Sequence, residues 1–267
     1  MVWTALTMAA KGDTQCQNVS RELLRAGSET RDQALVAWGL HGLGISLRQT
    51  GTYDQAIGQL EQAAVIYKAI PDHHNWAYVS AEMALCLALK GSLDLAVKLA
   101  GEVEQSIRKH RPRGMWAANP SACLAEVFVL ALHHRAPRDQ HALFQKARNA
   151  CRDALRYAKA CKGEWAAESL RVMGTFCWIT GNPARAEAWW DKAARLAEEI
   201  GTKYSLAQIC LERGRRLERS ADVQRAEALF AQLGIEYHVR AAGEVLASLH
   251  ARDSSPLASP SETTRSG

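Results

Sequence analysis

The chain has 267 residues, of which 48% are hydrophobic and 23% charged, and its formal net charge is +5. This charge is modest for the length, so it suits an acidic partner without by itself indicating nucleic acid. Alanine, leucine, arginine and glutamate dominate, and the absence of alternating β-branched runs excludes a sheet protein and predicts an all-α fold.

The seven cysteines are scattered and contain no C-x-x-C pair, which predicts reduced thiols packed in a core. The first residues lack the basic start and apolar centre of a signal peptide. We also find no run of about 18 apolar residues, the length that spans a membrane. These features predict a soluble, cytoplasmic protein.

Two short helices are predicted at the start of the chain, the first ending at Gly12-Asp13 and the second running from Gln15 to Ala26. The first is too short to cap a helical array well. This favours the downstream part of a longer polypeptide over a frayed end.

The clearest helical hairpin lies between Leu40 and Tyr67 and turns at Gly51, a residue that can end a helix in the left-handed conformation. Each of its helices has one apolar face with small residues, which would let the two backbones approach closely. The faces consist of Leu40, Leu43, Gly44 and Leu47 in the first helix and of Ala56, Leu60, Ala63 and Tyr67 in the second.

Further hairpins follow the same pattern, ending with a single helix and a polar tail. Their predicted ranges are Trp76 to Lys109 around Gly91, Ala122 to Cys161 with Pro120-Ser121 as its start and Ser121 as N-cap, Glu164 to Ile200 around Gly181-Asn182-Pro183, and Lys203 to Leu233. A last helix from Glu236 to His250 would cap the array, and residues 251–267, rich in Ser, Pro and Thr, should be disordered.

The turn residues recur at a spacing near 40. Glycines stand at positions 12, 51, 91 and 181, and Ala221 takes the same place in the last hairpin. The last glycine step is two repeats of 45 residues, and the spacing exceeds the 34 residues of an ordinary tetratricopeptide repeat.

The order of large and small residues resembles the tetratricopeptide repeat, W/L-x2-L-G-x2-Y followed by A-x3-F-x2-A, with Leu40 and Leu60 at two of the large positions. The longer period resembles the C-terminal solenoids of bacterial signalling ATPases, including MalT-type regulators and ATPase-linked adenylate or guanylate cyclases. The segment from Arg225 to Leu246 is similar to the closing helices of such arrays. The resemblance implies a right-handed α-solenoid of five to six hairpins over residues 1–250.

No catalytic or cofactor motif is found. The sequence has no GxxxxGK[ST] or GxGxxG phosphate loop, no HExxH and no GxSxG. Histidines form two pairs, His73-His74 and His133-His134, with His141 near the second pair. Because a metal site needs several of them to converge and Pro137 interrupts the helix between His134 and His141, no metal site is predicted. The resemblance transfers no catalytic residue, and the chain is predicted to be neither an enzyme nor dependent on a cofactor.

Two basic clusters stand out. The first runs from Arg108 to Arg113 and precedes Trp116, and it is interpreted as a solvated helix end or as a docking site for an acidic protein or nucleic acid. The second consists of arginines 213, 215, 216 and 219, which Glu212 and Glu218 can neutralise.

In tetratricopeptide arrays the inner wall is lined by the first helix of each hairpin. Projecting that register onto this chain predicts a ligand groove of Trp38, His41, Arg48, Tyr78, His133, His134, Arg171, Trp178 and Arg215. Aromatic and arginine side chains of this kind anchor interfaces. The alternative is that several of them contact neighbouring helices.

The primary hypothesis is therefore a non-enzymatic module that binds a protein or peptide segment, for example an acidic one, as a sensor or scaffold in bacterial signalling. Replacing Arg48 and Arg171 with alanine is expected to weaken binding with little loss of thermal stability. The alternatives are the detached C-terminal region of a nucleotide cyclase or signalling ATPase, and nucleic-acid binding through the basic clusters. Self-association is left open.

Overall fold

The computed structural model describes residue 8 and residues 15–134, 140–160 and 164–253. Within these ranges the chain forms twelve α-helices and no strand. The predicted turn at Gly12-Asp13, the cysteine at position 161 and the tail after Asp253 lie outside the described residues.

The helices are joined mostly by short turns. They are α1 (Cys16–Thr30), α2 (Gln33–Gln49), α3 (Tyr53–Ala69), α4 (His73–Leu89), α5 (Leu93–His110), α6 (Met115–His134), α7 (Gln140–Ala160), α8 (Glu164–Ile179), α9 (Pro183–Glu199), α10 (Lys203–Leu217), α11 (Ser220–Gln232) and α12 (Glu236–Asp253).

Each helix packs against the next helix in the chain, so that α2 to α11 form five consecutive hairpins. Alternate helices also touch: α2 contacts α4, α4 contacts α6, α6 contacts α8, and α8 contacts α10. These helices form the inner layer of the array, and the second helices of the hairpins form the outer layer. The predicted all-α, solenoid-like fold class is confirmed.

The close approach of paired helices at small residues is also confirmed. A Cβ on Gly44 would lie 2.5 Å from the side chain of Leu60, and a Cβ on Gly174 would lie 2.5 Å from the indole of Trp190. Real Cβ atoms do not come so close to another heavy atom, so only glycine fits at these crossings. Both glycines precede their large partner by 16 residues, which shows that the two hairpins share one register.

Three of the predicted turn glycines adopt the expected conformation. Gly51, Gly91 and Gly181 have φ angles of 78°, 93° and 78°. The assignment of a turn to Ala221 is wrong, because Ala221 lies inside α11 and the chain turns at Glu218, whose φ is 55°. The amide of Arg219, which follows Glu218, donates to the carbonyl of Gly214 at 2.9 Å, so the turn is complete before position 221.

The predicted start of a helix at Pro120-Ser121 is also wrong, because α6 begins at Met115. The amide groups of Ala117 and Ala118 donate to the carbonyl of Gly114 at 3.1 and 3.0 Å, which forms the first turn. The Trp116 indole then donates to Asn75 Oδ1 at 3.1 Å, and this tertiary contact holds the turn in place. Pro120 therefore lies within the helix, where it lacks the amide hydrogen for the usual bond.

One described helix, α6, is long and apolar enough to cross a membrane by length and composition alone, which the sequence analysis did not anticipate. Most of this segment is buried against other helices, as in a core helix. From Cys123 onward, its buried apolar side chains belong to the largest hydrophobic cluster among the described residues, which extends from Ala77 in α4 to Ile235 just before α12.

The last helix contacts the first complete hairpin. A Cβ on Gly51, in the turn between α2 and α3, would lie 2.4 Å from the ring of Tyr237 in α12. The rings of Tyr53 and Tyr237 meet edge to face with their centroids 6.0 Å apart. The curved array therefore meets itself, and α12 closes the inner layer at one side.

Candidate functional site

The inner layer encloses one cavity of about 120 Å³. Side chains from α2, α4, α6, α8, α10 and α12 line it, together with Tyr53 at the start of α3. Leu89, which is 37% exposed, is part of the lining and shows where the cavity reaches solvent. We call this space the inner cavity.

A buried ion pair joins the first two inner helices. Arg48 in α2 donates from Nε to Glu82 Oε2 in α4 at 2.8 Å, and Asn119 in α6 donates from Nδ2 to the other carboxylate oxygen at 2.9 Å. Burial alone would lower the pKa of Arg48, but the charge of Glu82 outweighs it and raises that pKa well above its usual value. Arg48 is therefore charged and already satisfied by a partner.

A second ion pair joins α6 to α8. Arg171 donates from Nη2 to Glu126 at 2.8 Å and from Nε to Glu168 at 2.7 Å. Its side chain is only 10% exposed, and burial opposes its charge, yet the two glutamates raise its pKa above the usual value. Like Arg48, Arg171 is held by carboxylates of the protein itself.

A third cluster lies beside the inner cavity, between α8 and α10. Thr175 donates to Glu212 at 3.0 Å, and Glu212 also accepts from Arg215 at 2.6 Å and from Arg216 at 2.7 Å. Burial would raise the pKa of Glu212, but the two arginines outweigh it and bring it to about 2. Polar contacts thus join consecutive inner helices from α2 to α10.

Aromatic side chains also line the inner cavity: Tyr53, Tyr78, Trp165, Tyr204 and His238. Gln208 donates to Tyr204 Oη at 3.1 Å, and His238 Nε2 lies 3.4 Å from the same hydroxyl. Burial and then the charge of Arg48 lower the pKa of His238 to about 4, while burial raises the pKa of Tyr204 to about 12. Both groups are therefore uncharged at neutral pH.

The inner cavity carries a slight negative charge. Its lining holds the two arginines and the three glutamates of the first two clusters, a formal total of −1 with His238 neutral. A carboxylate entering it would meet a surplus of like charge, whereas a neutral or cationic group would not. The aromatic rings add a surface that attracts cations.

Three of the nine predicted groove residues line the inner cavity: Arg48, Tyr78 and Arg171. Two others, Trp38 and His41, lie outside its lining, stacked with their ring centroids 5.8 Å apart. His41 is fully buried between Trp38 and Tyr78, so it is not accessible to a ligand in this conformation.

The remaining four predicted residues lie further along the array. His133 and His134 are exposed at the end of α6, and the pKa of His133 is lowered by partial burial and by Arg216. Arg215, about half exposed, belongs to the neighbouring Glu212 cluster. Trp178 packs against Trp190 with ring centroids 5.9 Å apart, so it stabilises the α8–α9 hairpin.

The sequence analysis missed most of the glutamates and polar groups of the lining, although a signal was present. Glu168 and Gln208 follow Tyr78 by 90 and 130 residues. The small residues of the same three helices have the same spacing, because Gly174 and Gly214 follow Ala84 by 90 and 130 residues. Tyr78, Glu168 and Gln208 therefore occupy one position of the repeat and point into the same cavity. Trp38 occupies this position in the first hairpin, where α1 and Tyr67 surround it instead.

The six described cysteines are free and buried, as the prediction of packed thiols required. Burial raises the pKa of Cys86 to about 12 and raises that of Cys123 well above its usual value, so these thiols are protonated. Among the described residues, no group of three or more His, Cys, Asp or Glu side chains could hold a metal ion.

No family model matches the sequence, and no curated protein matches it either. Among solved structures, the chain is similar to BtubC (BKLC) from P. vanneervenii, with a TM-score of 0.54 and 15% sequence identity. The match covers 93% of this chain and 94% of that chain. At this identity the likeness shows a shared helical fold over nearly the whole length of both chains and carries no functional assignment.

Proposed function

We propose that the protein is a non-enzymatic binding module that holds a segment of a partner protein or peptide against its inner layer of helices. The observation that carries this proposal is the inner cavity, to which every hairpin contributes through its first helix. A wall assembled from all repeats is preformed, so a partner would bind it with little loss of conformational freedom in the module.

The size of the inner cavity determines what it can accept. Clefts that hold whole ligands typically enclose roughly 300–1,000 Å³, whereas a water molecule occupies about 30 Å³. A space of about 120 Å³ therefore suits one inserted side chain rather than a whole peptide. In this proposal the segment lies across the opening near Leu89 and anchors itself by a single side chain.

The charge of the lining determines the chemistry of that side chain. Because Arg48 and Arg171 are already neutralised by glutamates, they do not offer free positive charge to a carboxylate. The surplus negative charge and the rings of Tyr78 and Trp165 favour a neutral, aromatic or cationic anchor.

The finer family assignment belongs to the same proposal. The crossings of Gly44 with Leu60 and of Gly174 with Trp190 fit a right-handed tetratricopeptide-type array with lengthened helices. Such a module would serve as the sensing or scaffolding part of a bacterial signalling system in the cytoplasm.

Peptide selection tests the proposal. Peptides are selected from a random library against the wild-type protein, and their affinities are then measured for two variants. Ala122→Leu places a larger side chain in the inner cavity, and Ala231→Leu, the control, lies on the exposed face of α11. We expect affinity for Ala122→Leu to fall at least tenfold and affinity for Ala231→Leu to stay within twofold. If every selected peptide binds the two folded variants equally, the inner cavity is not the binding site.

A further inference from the structure

A second, larger depression lies on the outside of the array, between the end of α5, the start of α6, and α7. It encloses about 630 Å³, within the range of clefts that hold whole ligands. Its rim contains four arginines, which are Arg108, Arg111, Arg113 and Arg156. We call it the basic cleft.

The rim has a surplus of positive charge. Arg108 pairs with Glu104 at 2.6 Å, and Arg156 pairs with Asp153 at 3.2 Å. Arg111 and Arg113 are exposed and make no ion pair with any described residue. Four arginines against two carboxylates give the basic cleft a formal charge of +2, opposite in sign to the inner cavity.

The backbone holds the two unpaired arginines at the edge of the cleft. Arg111 ends α5 in the left-handed conformation with a φ of 48°, and its amide donates to the carbonyl of Ile107 at 2.9 Å. Pro112, between the two arginines, is buried. Glycine adopts this left-handed conformation at the lowest energy, yet the residue at position 111 is arginine.

The floor of the basic cleft is apolar. Ile107, Leu124 and Phe128 form it with their buried side chains, and Ala150 adds a half-buried methyl group. Tyr157 borders the floor beside α7, with the guanidinium of Arg156 4.8 Å from its ring centroid. A ligand that fits must therefore offer apolar surface at its centre and negative charge at its edges.

We propose that the basic cleft is a docking site for an acidic peptide segment that carries a large apolar side chain. The carboxylates would pair with Arg111 and Arg113, and the apolar side chain would rest on the floor formed by Leu124 and Phe128. This site is separate from the inner cavity, so the proposal can be tested independently of the function proposed above.

Charge and surface chemistry favour a peptide over a nucleic acid. Glu104 and Asp153 stand on the rim beside Arg108 and Arg156, so the cleft favours negative charge only near Arg111 and Arg113, as a peptide with a few carboxylates can supply it. A nucleic acid carries a phosphate at every step and would also place charge against the two carboxylates. The floor contributes apolar surface and the side chain of Ser121, which offers little to the polar edges of bases. A peptide can match both the charged rim and the apolar floor.

Fluorescence anisotropy with labelled peptides tests the docking site. The probe is an acidic octapeptide with a central Leu-Phe pair, compared with the same peptide carrying Ser-Ser at its centre. The cleft variant is Arg111→Glu with Arg113→Glu. The matched control is Arg195→Glu with Arg240→Glu, two exposed arginines on α9 and α12 that form no ion pair with any described residue. Both variants change the net charge from +5 to +1.

We expect the cleft variant to bind the Leu-Phe peptide at least tenfold more weakly than wild type, and the control variant to bind within twofold of wild type. The Ser-Ser peptide should bind wild type at least fivefold more weakly than the Leu-Phe peptide. Circular dichroism verifies folding, and if the cleft variant unfolds, Arg113→Gln alone should still weaken binding measurably.

Three outcomes would overturn the proposal. Equal weakening by the two charge-reversed variants would mean non-specific attraction to net charge. Equal affinity for the two peptides would mean that the apolar floor has no role. A single-stranded oligonucleotide that binds more tightly than the Leu-Phe peptide, with a steeper loss of affinity as salt increases, would assign the basic cleft to nucleic acid.

Discussion

The buried histidine in α2 should make the stability of the protein depend on pH. His41 has no exposed surface, and neither of its ring nitrogens has a hydrogen-bond partner. Burial lowers its pKa from 6.5 to about 4, even though the charge of Glu82 acts in the opposite direction. The folded protein therefore keeps His41 neutral at pH values where the unfolded chain is protonated.

The sign and the size of the effect follow from these two pKa values. Above pH 6.5 both states are neutral at this site, so His41 adds no pH dependence. Below pH 6.5 the unfolded chain binds more protons, and the free energy of unfolding falls until the pH reaches about 4. The full loss is about 3 kcal/mol, and at pH 5 it is about 2 kcal/mol.

The assay compares wild type with His41→Phe, which keeps an aromatic ring beside Trp38 and Tyr78 but cannot titrate. The free energy of unfolding is measured by urea denaturation at pH 7.5, 6 and 5. Any packing cost of the larger ring is the same at each pH. The informative quantity is therefore how the difference in free energy of unfolding between the variant and wild type changes with pH. That difference should shift by about 2 kcal/mol in favour of the variant between pH 7.5 and 5.

His238, whose pKa is also lowered to about 4, remains in His41→Phe and supplies its residual pH dependence. A stability difference between the two proteins that stays constant over the three pH values would refute the reasoning. Such a result would mean that protonated His41 donates to a hydrogen-bond acceptor in the folded protein, or that it is accessible to water.

Three further predictions concern packing, ion pairs and closure. Gly174→Ala should destabilise the protein by about 1–3 kcal/mol in urea denaturation, because its Cβ has no room, whereas Gly101→Ala in open space should be neutral or stabilising. Arg171→Ala should cost about 3 kcal/mol, since it leaves two largely buried glutamates, 19% and 22% exposed, without their partner. Arg225→Ala, at an exposed pair, should cost less than about 1 kcal/mol, and similar losses for both variants would contradict this reasoning. Tyr237→Ala should speed amide hydrogen exchange both in α12 and in the turn before α3, and faster exchange in α12 alone would argue against the closing contact.

The Arg171 prediction replaces an expectation from the sequence. The sequence analysis expected alanine at positions 48 and 171 to leave thermal stability nearly unchanged, because arginines on an inner wall were taken to be free for a partner. In the structure both are buried in ion pairs with glutamates of neighbouring helices. A loss of binding in such a variant would therefore have to be separated from a loss of stability.

Local chemistry explains what the sequence could predict. The turns at Gly51, Gly91 and Gly181 follow from the left-handed conformation that glycine tolerates, and the crossing of Gly44 with Leu60 follows from helical periodicity and size. Ala221 was misplaced because this turn is made by Glu218 in the left-handed conformation, followed by a hydrogen bond from Arg219 to Gly214, and a spacing of turn glycines cannot predict a turn without glycine.

The site was predicted only in outline for the same reason. The repeat register placed Arg48, Tyr78 and Arg171 on the inner layer, but it could not show that Glu82 and Glu126 neutralise the arginines. Such pairs join residues 34 and 45 positions apart and depend on how the inner helices are rotated. The basic cluster at the end of α5 was recognised as charge, while its apolar floor comes from distant helices and was not foreseen.

The contact between Tyr237 and the turn at Gly51 also sets the number of repeats. In an open solenoid each unit touches only its neighbours, so units can be gained or lost and the ends fold separately. Here two segments 186 residues apart must meet, so inserting or deleting one hairpin would move them out of reach. The array could therefore gain a hairpin in evolution only if this closing contact were lost, so the number of hairpins depends on the geometry of the whole molecule.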